Sequence, residues 1–155
     1  KAGKSDEARR LVNSELAKAR EAIPANSAQL AGALAQFGSS LLDLKAFAEA
    51  ETLLRECLAI REEQQPDIWT TFNTRSMLGG ALAGQEKCAE AEPLLVAGYT
   101  GMNERRDQVP EQGKVRLTQA VERLVDLYDA LAQEDKADEW RRKLEEAKTA
   151  APNPE

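Results

Sequence analysis

The chain has 155 residues, about the length of one domain, with 21 Lys and Arg against 27 Asp and Glu and a formal net charge of −6. This balance argues against a nucleic-acid binder, which needs a basic face, and against a polybasic membrane-surface segment. The chain contains no histidine and therefore lacks the commonest general base and metal ligand.

The N-terminal segment, residues 1–23, predicts one amphipathic helix. Leu11, Val12 and Leu16 follow a helical spacing. The segment is charged throughout its first 20 residues, so it does not read as a signal peptide. No apolar run in the chain approaches the roughly 20 residues that span a bilayer. We therefore expect a soluble, cytoplasmic protein without membrane insertion.

Two similar units follow, over residues 27–64 and 68–106. The segment 37–54 aligns with the segment 78–95 at an offset of 41 residues, which superposes two Ala-Glu-Ala-Glu runs and two Leu-Leu pairs. Each unit has two stretches with apolar residues at helical spacing, and neither stretch can bury its apolar stripe alone. Each unit is therefore predicted to be an antiparallel helix pair that packs on its neighbours.

A weaker third copy covers residues 110–148. It is offset by 46 residues from the second unit, so that Ala137 takes the position of Ala91, and the added residues fall in a connection that contains Pro110 and Gly113. Residues 1–23 match only the second half of a unit. The prediction is one domain over residues 1–150, made of a half repeat and three repeats, and a frayed tail over residues 151–155.

Small residues recur where the two helices of a unit should meet and where a larger side chain would separate them. These residues are Gly38, Gly79, Ala50 and Ala91. In the turns before the first two units, Ser27 and Asp67 are predicted to cap the helices that follow.

This pattern resembles the tetratricopeptide repeat. The residues at that family's signature positions are Leu34, Phe37, Gly38, Leu41, Phe47, Ala50, Leu54 and Cys57 in the first unit, and Leu78, Gly79, Leu82, Cys88, Ala91, Leu95 and Gly98 in the second. The spacings of 41 and 46 residues exceed the roughly 34 of the standard unit and are similar to the longer repeats of kinesin light chains. The resemblance implies an all-α fold, a right-handed α-solenoid of antiparallel helix pairs.

Three segments, residues 29–35, 69–75 and 91–95, are similar to a repeat region found C-terminal to bacterial eukaryotic-like Ser/Thr protein kinases. That resemblance implies a fragment of a larger bacterial signalling protein.

No constellation of residues predicts catalysis. The carboxylate pairs 49/51 and 90/92 have members two residues apart, which point in different directions on a helix. They are interpreted as solvated charges near helix starts, where the helix dipole favours them. We expect no enzymatic activity and no metal or other cofactor.

The cysteines and tryptophans are interpreted as packing residues. Cys57 and Cys88 are expected to be small buried residues in a reducing compartment, since a zinc site would need further ligands. Trp140 takes the position of a core leucine, and Trp69 is predicted to pack in the junction between units.

The tetratricopeptide resemblance also implies a concave groove, lined by the first helix of each unit, that holds a peptide or helix of a partner. The candidate binding residues carried over to this groove are Ser39, Asp43, Asn73, Ser76, Gly80, Gln119, Glu122, Asp126 and Asp129. An alternative interpretation is that these positions are merely small or exposed.

The groove positions offer Asn73 but no Lys or Arg, so a clamp for a free C-terminal carboxylate is not expected. The asparagine ladder of kinesin-light-chain relatives is broken, because its slots hold Gln36, Met77 and Arg123. The groove has small residues at one end and acidic residues at the other. We therefore expect a partner segment with apolar anchors for the first end and a Lys or Arg for the second.

The sequence thus predicts a protein–protein interaction module with a protein or peptide partner and no nucleic acid. An alternative function is a structural spacer or autoregulatory segment that joins domains without a groove ligand. The unpaired stripe of residues 1–23 predicts self-association or an upstream repeat.

Overall fold

The computed structural model describes the backbone of residues 2–150 and the side chains of residues 5–149, and the predicted tail over residues 151–155 lies outside the described residues. Within residues 2–150 the chain forms seven α-helices, with two single-turn 3-10 helices at 106–108 and 111–113. The α-helices are α1 (Ala2–Ala22), α2 (Ala28–Asp43), α3 (Phe47–Gln64), α4 (Trp69–Ala83), α5 (Cys88–Glu104), α6 (Lys114–Ala130) and α7 (Glu134–Ala150).

The helices stack in pairs, α2 with α3, α4 with α5 and α6 with α7, and each pair packs on the next through α3 against α4 and α5 against α6. The first helix of the middle pair, α4, also contacts α2 and α6, which places the first helices side by side on one face. The prediction of an all-α solenoid is confirmed. Among the helices described, none combines the length and apolar character needed to cross a bilayer.

Small residues let the helices of a pair approach each other closely, as predicted. A Cβ atom on Gly38 would lie 2.7 Å from Leu54 Cδ2, and one on Gly79 would lie 2.6 Å from Leu95 Cγ. Ala50 and Ala91 are fully buried. The same contact recurs in both units because both the glycine and the leucine repeat at the offset of 41 residues.

The three turns inside the pairs share one backbone conformation. Lys45, Glu86 and Ala132 have φ angles of 57°, 63° and 53°, and each lies just after a helix. In the first turn the Lys45 N–H donates to the Leu42 carbonyl and the Ala46 N–H donates to the Leu41 carbonyl, the pattern of a Schellman cap. The offsets between the three left-handed residues, 41 and 46, are those of the sequence repeats.

The two predicted N-caps have different outcomes. The Ser27 side chain accepts a hydrogen bond from the Leu30 N–H and caps α2, as predicted. The prediction for Asp67 is wrong, since Ile68 precedes α4 without a side-chain cap. Asp67 instead lies beside Arg105, whose Nε donates to the Asp67 carbonyl at 2.7 Å.

The aromatic residues pack as predicted. Trp140 is 9% exposed and makes an edge-to-face contact with Tyr99, with 4.9 Å between ring centroids. Trp69 packs against Met102, Leu117 and Ala120 at the junction between the second and third units, and its ring would meet a Cβ atom on Gly113 at 3.0 Å.

Cys57 is fully buried, whereas Cys88 is half-buried, so the expectation of two buried cysteines is wrong for Cys88. Cys88 begins α5 and packs against the core from a partly exposed position.

The interpretation of the paired carboxylates as solvated charges is wrong for Glu51 and Glu92. Glu51 accepts hydrogen bonds from Gln85 at 2.7 Å and from Lys87 at 2.9 Å, both in the next unit. Glu92, 41 residues later, accepts from Tyr128 at 2.8 Å and Lys136 at 3.2 Å in the unit after that. These two residues therefore link successive units.

The helix α1 is held against the first unit by partly buried apolar residues and by ion pairs. Val12 and Leu16 pack against the core, while Leu11 is 62% exposed. Arg20 donates to both carboxylate oxygens of Glu56 on α3, at 2.8 and 2.5 Å. The predicted stripe is thus partly covered and partly open to solvent.

Candidate functional site

Two neighbouring clefts open on the face formed by α2, α4 and α6. The first, about 380 Å³ in volume and here called the Asp126 cleft, lies at the C-terminal ends of these helices. It is lined by Leu42, Asp43, Phe47, Gly80, Ala83, Gly84, Cys88, Gln119, Glu122, Arg123, Asp126, Leu127 and Ala130.

The second, about 400 Å³ in volume and here called the Asn73 cleft, lies nearer the N-terminal ends of α4 and α6. It is lined by Ala35, Gln36, Ser39, Ser40, Arg61, Trp69, Thr70, Asn73, Met77 and Arg116.

The structure brings most of the sequence-predicted site residues to these clefts. Those in the Asp126 cleft are Asp43, Gly80, Gln119, Glu122 and Asp126. Those in the Asn73 cleft are Ser39 and Asn73. The other two lie elsewhere. Ser76 is fully buried beneath Arg123, and Asp129 forms an ion pair with Arg141 of α7.

Gly80 and Gly84 do not leave open space in the groove, contrary to the expectation from their size. A Cβ atom on Gly80 would lie 2.9 Å from Arg123 Cδ, and one on Gly84 would lie 2.6 Å from the Phe47 ring. The protein's own side chains therefore lie on these glycines. In the first unit Gly32 has no atom within 4 Å of the corresponding Cβ position and does leave open space.

Arg123 lies between the acidic residues and the core. Its Nη1 donates to Ser76 Oγ at 3.1 Å. Burial and the nearby charge of Arg116 together lower the pKa of Arg123 to about 10, against the opposing effects of Glu122, Asp43 and Asp126. Even so, the guanidinium stays charged at neutral pH.

Asp126 carries an acidic charge on the wall of the first cleft. Burial raises its pKa above the ordinary value, the negative charge of Asp129 raises it further, and Arg123 lowers it. With Asp43 and Glu122 it gives the cleft three carboxylates next to the apolar surfaces of Leu42, Phe47 and Leu127. This combination suits a side chain with an apolar stem and a cationic end.

The Asn73 cleft is basic instead. Arg61 donates from Nη1 to the Thr70 carbonyl at 2.7 Å and to Thr74 Oγ1 at 2.6 Å. Arg116 donates to Gln119 Oε1 at 2.9 Å. All of these acceptors are uncharged. Burial lowers the pKa of Arg61.

The expectation that the groove offers no basic residue is therefore wrong. Arg116 and Arg123 are seven residues apart, on one face of α6, and this spacing is a sequence signal that could have identified Arg116. Arg61 comes from the end of α3, a second helix, and no pattern within the first helices would reveal it.

Asn73 lies between these arginines and the core, and 7% of its surface is exposed. Its Oδ1 atom is buried without a hydrogen-bond partner among the described residues. A buried polar atom without a partner costs about 1–3 kcal/mol. Such atoms are uncommon in folded proteins, so this side chain is a candidate contact point for a ligand.

Comparison with known proteins supports the architecture. The family model of the tetratricopeptide repeat matches residues 30–63, which cover most of α2 and most of α3. No curated protein matches the chain.

Among solved structures, the crystal structure of BtubC (BKLC) from P. vanneervenii is similar to this chain, with a TM-score of 0.71 and 18% sequence identity. The similarity covers 99% of this chain, which spans 61% of the BtubC chain. At 18% identity, this similarity shows a shared fold and nothing further.

Proposed function

The chain is a tetratricopeptide-repeat solenoid, and from this premise we propose that its concave face binds a segment of a partner protein. Tetratricopeptide repeats are generally protein–protein interaction modules built on a non-catalytic scaffold. The observation that carries the proposal is the pair of adjoining clefts on one face, each with charged groups that are partly removed from water.

The Asp126 cleft favours a particular kind of side chain. Leu42, Phe47 and Leu127 offer an apolar wall, and Glu122 and Asp126 offer negative charge beside it. A Lys or Arg of the partner would lay its methylene groups on the wall and its charge near the carboxylates. We expect the partner segment to bring such a residue, next to an apolar anchor.

Selection from a random 16-residue peptide display library tests the proposal. The full chain is immobilised, and the selected peptides are measured for affinity by fluorescence anisotropy. Reversing one charge in the cleft, Glu122→Lys, should weaken these peptides at least tenfold, because the Lys or Arg of the peptide would then meet a like charge.

The matched control is Glu145→Lys, which makes the same charge change at an exposed position of α7. It should change the affinity by less than twofold. If the library yields no binders, or if both variants weaken them equally, the proposal is wrong. The first of these results would favour the spacer function.

A further inference from the structure

We propose that Glu51 and Glu92 are positioning residues, whose hydrogen bonds to the following unit hold the walls of the Asp126 cleft in the arrangement that the partner segment recognises. The inference rests on the proposed function. It gives the contacts between units a second role besides stability, which is control of the affinity of the concave face.

One position of the repeat carries a contact to the next unit in the half repeat and in the first two units. Its occupants, spaced by 42 and 41 residues, are Arg9, Glu51 and Glu92. In each case the side chain pairs with side chains of the unit that follows. The partners are Glu49 for Arg9, Gln85 and Lys87 for Glu51, and Tyr128 and Lys136 for Glu92. This recurrence distinguishes the contacts from scattered pairs of surface charges.

The Glu51 carboxylate is held more firmly than a surface ion pair. Its side chain is 14% exposed. One carboxylate oxygen accepts from Arg55 Nε at 2.8 Å, and the other accepts from Gln85 and Lys87. Exposed ion pairs contribute little, because holding two long side chains in one geometry costs entropy. A carboxylate with three donors and little water around it has one preferred position.

The partner residues of Glu51 adjoin the cleft. Gln85 Nε2 also donates to the Phe47 carbonyl at 3.4 Å. Gly84, the residue before Gln85, lies against the Phe47 ring, and Gly84 and Phe47 both line the Asp126 cleft. A shift of the second unit away from Glu51 would therefore move Gly84 across Phe47 and change the shape of the cleft.

The Glu92 contact involves the helix that carries the acidic wall of the cleft. Tyr128 is 4% exposed and donates from its hydroxyl to Glu92 Oε1 at 2.8 Å. It follows Asp126 and Leu127, two residues of α6 that line the cleft. The hydroxyl thus joins the acidic wall to α5.

The stacking of a repeat protein explains how such contacts affect a binding surface. Each unit contacts its neighbours, and the small rotation from one unit to the next gives the concave face its curvature. Residues of all three units line the Asp126 cleft. Its shape therefore depends on both junctions, and Glu51 and Glu92 lie one at each.

The test measures orientation without a peptide and affinity with one. Residual dipolar couplings of the backbone amides give the orientation of α2 and α3 relative to α4–α7, in the wild type and in Glu51→Ala. We expect each part to keep its internal couplings while the angle between the parts changes. Peptides selected on the wild-type chain should bind Glu51→Ala at least about fivefold more weakly, the lower end of typical coupling between sites.

The matched control is Glu56→Ala, which removes another link between helices. Glu56 accepts two hydrogen bonds from Arg20 of α1, at 2.8 and 2.5 Å, and neither residue lines the cleft. The variant should leave the angle between the same two parts unchanged. The peptide affinity should stay within about twofold of the wild type.

Tyr128→Phe tests the second junction and decides the matter if Glu51→Ala does not fold. It keeps the ring and removes only the hydroxyl that donates to Glu92. We expect α6 and α7 to rotate relative to α4 and α5, and the same peptides to bind more weakly. Glu92→Ala should also weaken them, and adding Tyr128→Phe to it should cause no further loss, because the hydroxyl has already lost its acceptor.

Three results would overturn the inference. They are an unchanged orientation in both Glu51→Ala and Tyr128→Phe, a changed orientation without a loss of affinity, and an equal loss of affinity in Glu56→Ala. If the peptides respond to Glu122→Lys but to neither junction variant, this inference fails and the proposed function stands. If no peptide is selected, the proposed function fails and this inference fails with it.

Discussion

At the scale of single residues, the surroundings of each glycine decide what the glycine does. Gly32 and Gly79 both lie inside first helices, and both would gain helix propensity as alanine. The two positions differ in the room available for a side chain. A Cβ atom on Gly32 would have no neighbour within 4 Å, whereas one on Gly79 would lie 2.6 Å from Leu95 Cγ and 3.1 Å from the Leu95 backbone nitrogen.

We therefore expect opposite signs from the same substitution. Gly32→Ala should raise the free energy of unfolding by about 0.5–1 kcal/mol. Gly79→Ala should lower it by about 1–3 kcal/mol, because the helices of the second unit must move apart. Urea denaturation followed by circular dichroism measures both. An unchanged midpoint for Gly79→Ala would contradict the close contact seen between α4 and α5.

Glu51 predicts a pH dependence of stability. Hydrogen bonds from Lys87, Gln85 and Arg55 lower its pKa to about 2 from an ordinary value of 4.5, against the opposing effect of burial. The folded state therefore holds the ionised form. The stabilisation is complete above about pH 5 and is lost as the pH falls through 4.5 toward 2.

The check is to compare wild type with Glu51→Gln in urea at several pH values. At neutral pH the variant should be less stable by up to about 3 kcal/mol, since one unit of pKa shift corresponds to about 1.4 kcal/mol. The difference should shrink as the pH falls below 4. The exposed control Glu21→Gln should show no such convergence, and a difference for Glu51→Gln that stays constant with pH would refute the account.

At the scale of elements, the helices could be predicted from the sequence. The spacing of apolar residues and the 41-residue repeat identify which residues of each helix are buried. The pairing of α2 with α3 and of α4 with α5 follows from residues such as Gly38, Gly79, Ala50 and Ala91. The unit boundaries at 27–64, 68–106 and 110–148 stay predictions. The first two ranges contain their helix pairs in full, whereas α7 extends beyond the third range to Ala150.

The site was less predictable, because its chemistry depends on side chains that cross between elements. Arg61 reaches the concave face from α3, and Arg123 lies on Gly80 of another unit. The links from Glu51 and Glu92 to the following units likewise involve residues more than 30 positions apart. Helical periodicity describes one helix at a time and contains no information on such contacts.

The backbone conformation of the turns inside the helix pairs leads to a prediction about stability. Ala132 holds a φ of 53°, in the left-handed region that costs a residue with a Cβ about 1–2 kcal/mol. Ala132→Gly should therefore raise the free energy of unfolding by up to about 1 kcal/mol, after the entropy cost of glycine. The control, Ala97→Gly at an exposed position inside α5, should lower it by about 1 kcal/mol. Thermal denaturation distinguishes the two signs, and equal losses would contradict the Schellman geometry.

At the scale of the whole molecule, the first helix exposes part of its apolar stripe to solvent. Leu11 is 62% exposed beside the partly buried Val12 and Leu16. We expect self-association at high protein concentration, which Leu11→Glu should weaken by placing a charge in the apolar contact. Multi-angle light scattering measures it. A wild-type monomer at all concentrations, unchanged by Leu11→Glu, would contradict the prediction.

The distribution of charge across the molecule also bears on partner binding. Acidic groups in one cleft and basic groups in the other lie on the same face, and such charges govern mainly the association rate and its salt dependence. For a selected peptide that carries a Lys or Arg, raising the salt from about 50 to 500 mM should therefore slow association more than it speeds dissociation. Surface plasmon resonance gives both rates, and a salt-independent association rate would contradict this assignment of charges.

The central claim is that the face formed by α2, α4 and α6 is the binding surface. Its most direct test is a map of backbone amide chemical shifts by NMR while a selected peptide is added. We predict that the largest shifts fall on these three helices around Asn73 and Asp126, with the outer surfaces of α3, α5 and α7 nearly unchanged. Shifts that cluster on α3, α5 and α7 would contradict the claim.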